Sequence, residues 1–290
     1  MKRIALGLVG TFFWAISGWG ADVSIDGSTY TASNPYTVNV ASADNYLFTN
    51  NGYMRITNTE TVNHSGTFSG SGNLTVTSTS ATDRSQIRFL SSMSGFTGTV
   101  NTAGAAWFTF HSSGSNKGSA TTVWNVNSEA PSSDTGILLD GDVSSLENPI
   151  LFGKLEGNGF VRPMGNQGQT HYIQVGHLLT NASDTSTFSG SIRFWNNDNV
   201  HVEKVGVGTW ILSGTNDFTG GLVVSEGTVQ MGVGGTTDSL TGGNPITVEK
   251  DGTFGYNRSL NITVPNLITV KGGGGAKHGK CSGGVYKCYV

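Results

Sequence analysis

The sequence predicts an all-β chain: a single-stranded, right-handed parallel β-helix, or solenoid, behind an N-terminal signal peptide. Three observations predict it. Short alternating apolar runs are bounded by glycine and small polar residues, as in "GVGTWILSGTNDFTGGLVVSEGTVQMG" from Gly206 to Gly232. Small patterns return along the chain at spacings of roughly 20 to 30 residues, the mark of a stacked repeat. Beyond the leader, no stretch sustains the 3.6-residue period of an amphipathic helix.

The leader comes first. Lys2 and Arg3 form a positive start, Ile4 to Ile16 an apolar core, and Gly18 and Gly20 a small-residue exit that suits cleavage after Gly20. A transmembrane anchor is the alternative, but the apolar run is short and broken by glycine. No later segment is apolar for long enough to cross a bilayer as a helix, so no membrane span is expected in the mature chain. The expected division is 1–20 leader, 21–270 β-helix with its clearest repeat at 204–234, and 271–290 a flexible Gly/Lys/Cys tail.

Composition narrows the class. Charged residues are 12% of the chain, about half the usual share. Sixteen Lys plus Arg against nineteen Asp plus Glu give a net charge of -3, so there is no basic field for nucleic acid. Aromatics at 10% and recurrent Val, Ile and Thr argue for a folded body rather than disorder. Both cysteines, Cys281 and Cys288, lie near the end, so no disulfide staples the core.

Three patterns recur. "FSG" or "FTG" begins at Phe68, Phe96, Phe188 and Phe218, and three copies continue to Val100, Ile192 and Leu222. Gly-Thr followed by apolar, any, apolar begins at Gly208, Gly227 and Gly252. An aliphatic-Thr-Val triplet begins at Leu74, Ile246, Ile262 and Ile268. In "GTWIL", alternation puts Trp210 and Leu212 on one face and Ile211 on the other. Strands of about five residues cannot bury an apolar face alone, whereas stacked coils make one continuous interior column. Asn and Thr at equivalent corners would then form ladders. A jelly-roll β-sandwich also uses short strands and frequent turns, but it does not predict returning tripeptides. At roughly 20 to 25 residues per coil the chain holds about ten coils, a rod on the order of 50 Å long. Its ends need caps, and Asp22 to Asn58, where repeat signals are weakest, is the expected first cap.

The stretch "KVGVGTWILSGTNDFTGGLVVSEGTVQMG" resembles the autotransporter-associated β-strand repeat, or passenger-associated transport repeat. Its strand falls on Gly206, Gly208, Thr209, Trp210, Leu212, Ser213 and Gly214, its turn on Asn216, Phe218, Thr219, Gly220 and Gly221, and its second strand on Val224, Gly227, Thr228 and Val229. Earlier copies such as "SGTFSGSGNLTV" are more degenerate. The resemblance implies a passenger secreted to the bacterial cell surface, repeats that aid export, and outer-membrane export machinery as a partner. The family's C-terminal membrane barrel, a set of amphipathic strands of about ten residues, is not apparent here.

The tail "KGGGGAKHGKCSGGVYKCYV" differs abruptly in composition, because lysines and cysteines crowd in while Asn and Thr vanish. His278, Cys281 and Cys288 have unmatched spacing for zinc, and a Cys281–Cys288 disulfide suits an exported protein better. The preferred expectation is a flexible end in which the reading departs from the ancestral repeat near Gly272.

Candidate chemistry is sparse. The histidines are His64, His111, His171, His177, His201 and His278, with no Gly-x-Ser-x-Gly elbow. His171 and His177 are six apart, on one face if a strand continues between them. The runner-up function, a polysaccharide lyase, needs calcium-binding carboxylates and a basic residue, for which Asp140, Asp142 and Asp134, with Arg84 and Arg88, are the candidates. Trp107, Trp124, Trp195 and Trp210 could stack on sugars if exposed; Trp210 falls at a core position, while Phe194 and Trp195 face opposite sides. The expectation is therefore a structural or adhesive surface protein without catalytic, cofactor or metal residues, its partner a glycan or host-cell surface.

Overall fold

The computed structural model describes residues 20–57, 61–78, 85–128, 135–141, 144–165, 167–235, 239–240, 244–259, 266–272 and 286–289. The expected leader up to Trp19, together with Arg84, Asp134, Asp142, Ile262, His278 and Cys281, lies outside them. Among the described residues the elements are all strands. Their ladders are parallel apart from Tyr286–Tyr289, which runs antiparallel to Gly255–Arg258. Parallel pairing rules out the jelly-roll alternative, whose sheets are antiparallel.

Each turn of chain lays down up to three strips. The first begins with Asp22–Asp26 against Asn45–Thr49 and ends with Ile246–Val248 against Ile268–Val270. The second begins with Tyr36–Val38 on Met54–Ile56 and runs up to Thr209–Leu212, Thr228–Met231 and Thr253–Tyr256. The third stacks Val62–His64, Ser85–Phe89, Ala106–His111, Gly136–Asp140, Phe160–Pro163 and Ser191–Ile192. Long strands cross the first two strips with a register shift at the corner, as at Phe48/Gly52 and Val224/Glu226. Stacked parallel strips around one apolar interior are the layout of a β-helix.

The rung is less regular than its sequence signals suggest. Thr209 faces Thr228, nineteen residues on, whereas Gly118 faces Leu151, thirty-three on. Corners absorb the difference. The Gly-Thr pattern is a true rung repeat: Thr209, Thr228 and Thr253 stack, as do Trp210, Val229 and Phe254. The other two patterns are not strictly equivalent. Phe68 and Phe96 belong to the first strip but Phe188 to the second, and Leu74 sits in the second strip while Ile246 and Ile268 share the first. What the copies share is inward packing of the aromatic ring: Phe68, Phe96, Phe188 and Phe218 are all buried.

One apolar cluster fills the interior from Ile25 to Tyr256. Its first half is an aromatic series in which Tyr46, Phe68, Phe89, Phe108, Trp124 and Phe152 touch in turn, with Phe89 and Phe108 stacked at 4.1 Å and 6°. At the first coil, Tyr30 packs on Tyr36 and Tyr36 on Tyr46, whose hydroxyl donates to Ser42 Oγ at 2.9 Å. Tyrosine suits that place because its ring is apolar and its hydroxyl can find a hydrogen-bond partner. The segment Asp22–Thr57, which is the described part of the expected first cap, thus contributes regular parallel rungs as well as a cluster of tyrosines. Within 271–290, the described strand Tyr286–Tyr289 lies along the outer edge of Gly255–Arg258.

Outward side chains tie rung to rung. Asn125 Nδ2 donates to Asn101 Oδ1 at 3.1 Å, and Glu203 accepts from Gln174 Nε2 at 2.8 Å and Ser225 Oγ at 2.6 Å, spanning three rungs. At one corner glycines stack because nothing larger fits. A Cβ on Gly227 would lie 2.4 Å from Gly206 O and 2.5 Å from Gly208 O, and one on Gly206 2.3 Å from Gly176 O. Gly206 and Gly227 also have φ of 78° and 69°, open to glycine at little cost.

Gly227→Ala is therefore expected to lower stability by several kcal/mol, read as a drop in urea midpoint. Gly168 has φ of 72° and no atom near its Cβ position, so Gly168→Ala should cost only about 1–2 kcal/mol of backbone strain. Equal losses at the two sites would show that close stacking is not what the Gly227 corner requires.

Candidate functional site

The best-formed coil runs from Asn199 to Met231. Val200, Val202 and Lys204 point inward from Asn199–Lys204. No sequence motif marks Lys204, although alternation with Val200 and Val202 puts it in phase with the core. Its Nζ donates to Val205 O at 2.8 Å, Gly206 O at 2.6 Å and, on the next rung, Glu226 O at 3.1 Å. Burial pushes the Lys204 ammonium down to about 8, against the pull of Glu226. The side chain is a clamp on a corner that backbone pairing cannot close.

The rest of the coil follows from its residues. Gly206 turns the chain, and Gly208 is buried, with a Cβ position 2.6 Å from Asp184 O. Thr209 is half-buried between Thr185 and Thr228. Trp210 and Leu212 point inward, and Trp210 Nε1 donates to Leu155 O at 3.1 Å. That carbonyl also takes Ser186 Oγ at 3.0 Å, because the backbone ladder there is reduced to Gly157 opposite Phe188. Ser213 N bonds Phe188 O, and Gly214 packs on Gly190. Asn216 is a buried corner residue that accepts from Ile192 N at 2.9 Å and donates to Gly214 O at 3.0 Å. Phe218 is buried, and the Thr219 hydroxyl bonds Asn199 Oδ1. Gly220 N bonds Val200 O, Gly221 has φ of 100°, and Leu222, Val224 and Val229 return to the core. An open cleft of about 420 Å³ at this corner is lined by His177, Thr180, Val205, Gly206, Val207 and Glu226.

Of the lyase candidates, Asp140 and Arg88 meet, whereas Arg84, Asp134 and Asp142 lie outside the described residues. Asp140 Oδ2 lies 3.6 Å from Arg88 Nη2 and 3.3 Å from His111 Nε2, so a basic group and a ring N–H already meet the carboxylate. Ser113 N donates to His111 Nδ1 at 3.1 Å, which leaves the ring proton on Nε2, facing Asp140. The N–H groups from Ser112 to Ser115 all have partners within the chain, so none serves an oxyanion. His171 and His177 do not share a face. The strand ends at Val175, Gly176 turns with φ of 113°, and alternation stops. His171 is interior, 4.0 Å from buried Asp198, while His177 lies at the corner, where burial lowers its pKa against the pull of Glu203. His201 Nδ1 pairs with Gly220 O at 2.8 Å. Trp124 and Trp210 are core; Trp107 faces outward yet is covered, and Trp195 is exposed. Among the described residues no group of three or more His, Cys, Asp or Glu could hold a metal, and no helix is long and apolar enough to cross a membrane.

His64 offers a test of the interior. It is buried beside Phe89, ring centroids 5.7 Å apart, and neither ring nitrogen has a hydrogen-bond partner among the described residues. Burial lowers its pKa from 6.5 to about 4. The neutral form is the folded form, so this stability is complete above 6.5 and is lost as pH falls toward 4. The loss should approach about 3 kcal/mol, and His64→Leu should remove most of that acid sensitivity in urea titrations. Parallel pH profiles for the two proteins would contradict a buried neutral imidazole.

Residues 202–231, the coil just described, match the family model described as Passenger-associated-transport-repeat. Over 109 residues, 38% of this chain, the sequence is 33% identical to "Adhesin BmaC autotransporter" of Brucella suis biovar 1 (strain 1330), and the aligned stretch is 3% of that protein's length. No solved structure matches the chain. The coil from Val202 to Met231 is thus a passenger-associated transport repeat, in a chain similar over part of its length to an autotransporter adhesin.

Proposed function

We propose that the chain is a section of an autotransporter-like passenger at the bacterial cell surface. After loss of the leader 1–20, residues 21–270 form a right-handed β-helical stalk that acts structurally and in adhesion, with 271–290 as its tail. Outer-membrane export machinery carries it, and a glycan or host-cell surface is its partner. The observation that supports this best is the position of the family match. Its rung is templated on both sides, Asn199–Lys204 on Thr170–Val175 and Leu222–Met231 beneath Ile246–Arg258.

Such a rung explains how a repeat assists export. Once one coil has emerged, the next gains backbone hydrogen bonds and apolar burial on an existing edge. Folding outside then withdraws the segment from the population able to slide back, and mass action drives transport. Trp210 contributes at this step because its ring fills the interior and its N–H satisfies Leu155 O in an earlier coil.

The test is display from a translocator barrel in a Gram-negative host. External protease accessibility should report surface arrival, and whole-cell adherence to host cells should exceed that of the empty barrel. Trp210→Ala, expected to cost about 3–5 kcal/mol, should slow surface arrival with synthesis unchanged. Arrival at the unmodified rate would contradict export by folding, and adherence equal to the empty barrel would contradict the adhesive role.

A further inference from the structure

The third strip hides residues that alternation turns toward water. Ile87, Phe108, Ile137 and Val161 fill the interior, so their neighbours Gln86, Arg88, Trp107, Thr109, Leu138 and Arg162 face outward. Yet Trp107, Thr109 and Leu138 are at most 2% exposed. Trp107 is covered by Arg162, whose guanidinium lies 4.7 Å from its ring centre and 4.0 Å from that of Trp195. Gly136, opposite Trp107 on the next rung, has no side chain to come between them.

Thr109 and Leu138 have a different cover. Gln86 Nε2 donates to Met164 Sδ at 3.1 Å. Met164 follows Phe160–Pro163, and its N–H bonds Leu139 O, which sets it beside Asp140 at the far edge of the strip. Gln86 stands at the near edge, on the strand Ser85–Phe89. The path between them crosses the strands Ala106–His111 and Gly136–Asp140, and the register carries it over Thr109 and Leu138. Arg88 steadies the Gln86 end by donating to its Oε1 from Nε at 3.3 Å and Nη2 at 3.1 Å. The thioether is thus one end of a strap over a small apolar patch outside the main core.

That end is chemically open. Met164 is 40% exposed, whereas Met54, Met93 and Met231 are at most 1% exposed, so among the described methionines a peroxide from solvent meets this sulfur first. A thioether sulfur has two lone pairs, and oxygen added to one or the other gives opposite sulfoxide epimers. Gln86 Nε2 engages one pair, which leaves the other to react. The open pair takes an oxygen of hydrogen peroxide and the O–O bond breaks. The departing hydroxide gains the proton of the transferred oxygen and leaves as water. Sulfur loses two electrons and the peroxide gains them. The oxidised sulfur is positively polarised, so it no longer accepts from Gln86, and the polar sulfoxide favours water over the apolar patch. We propose that Met164 is a reversible oxidation site, at which formation of one favoured sulfoxide epimer releases the strap over Thr109 and Leu138. The proposal is independent of the adhesive reading above.

Dilute hydrogen peroxide on the purified chain, followed by peptide mass spectrometry, should oxidise Met164 roughly tenfold or more faster than Met54, Met93 or Met231, and all four at similar rates in urea. One of the two epimer-specific sulfoxide reductases should restore most of the product formed in the folded chain, whereas each should restore about half of the product formed in urea. Conversion at Met164 should lower the urea midpoint, and the matching reductase should return it. Met164→Leu, which keeps an apolar cover without sulfur, should have the same midpoint before and after peroxide. Gln86→Ala, checked for folding by circular dichroism, should react faster and give both epimers. Equal rates at Met164 and the core methionines, equal epimers from the folded chain, or an unmoved midpoint after full conversion at Met164 would overturn the proposal.

Discussion

Everything in this molecule depends on parallel backbone pairing between one coil and the next at a spacing of about 4.8 Å. No coil contains its own partner strands, so its amides and carbonyls are satisfied by the coils above and below. Corners must match that spacing too. Glycine stands at Gly176, Gly206 and Gly227 because each lies against a carbonyl of a neighbouring coil. Where backbone pairing lapses, side chains take its place. Lys204 closes one corner with three carbonyl bonds, and Trp210 with Ser186 satisfies Leu155 O.

The interior is graded. The first coils are held by aromatic rings in mutual contact, beginning with Tyr30, Tyr36 and Tyr46. Later coils rely on Val, Leu and Ile around Trp210, and their buried polar side chains among the described residues include Lys204, Arg162 and Asp198. That half also contains the matched repeat. A column built in this way gains stability as each coil adds to an edge, which links its packing to the proposed route of export.

Much of this is legible in the residues. Alternation in "GTWIL" correctly orients Trp210 and Leu212, and the Gly-Thr pattern identifies rungs that the structure aligns position for position. The FSG pattern marks buried rings but misleads about equivalence, because a Phe-Ser/Thr-Gly corner can enter either of two strips. The pairing of His171 with His177 fails because strand alternation does not continue through a glycine at positive φ. Lys204 is readable from its phase, but a lysine at a core position is discounted until its carbonyl partners are seen. The Trp107–Arg162–Trp195 sandwich is not readable at all, since its members come from different rungs and only the coil length aligns them.

The stacking account is tested most directly by residue-resolved amide hydrogen exchange. Coils that depend on neighbours on both sides should be protected most in the middle of the column, around Ile150–Gly157 and Thr209–Leu212. Protection should decline stepwise toward Asp22–Asp26 and Ile268–Val270. Uniform protection along the chain, or an end coil protected as strongly as the centre, would contradict it.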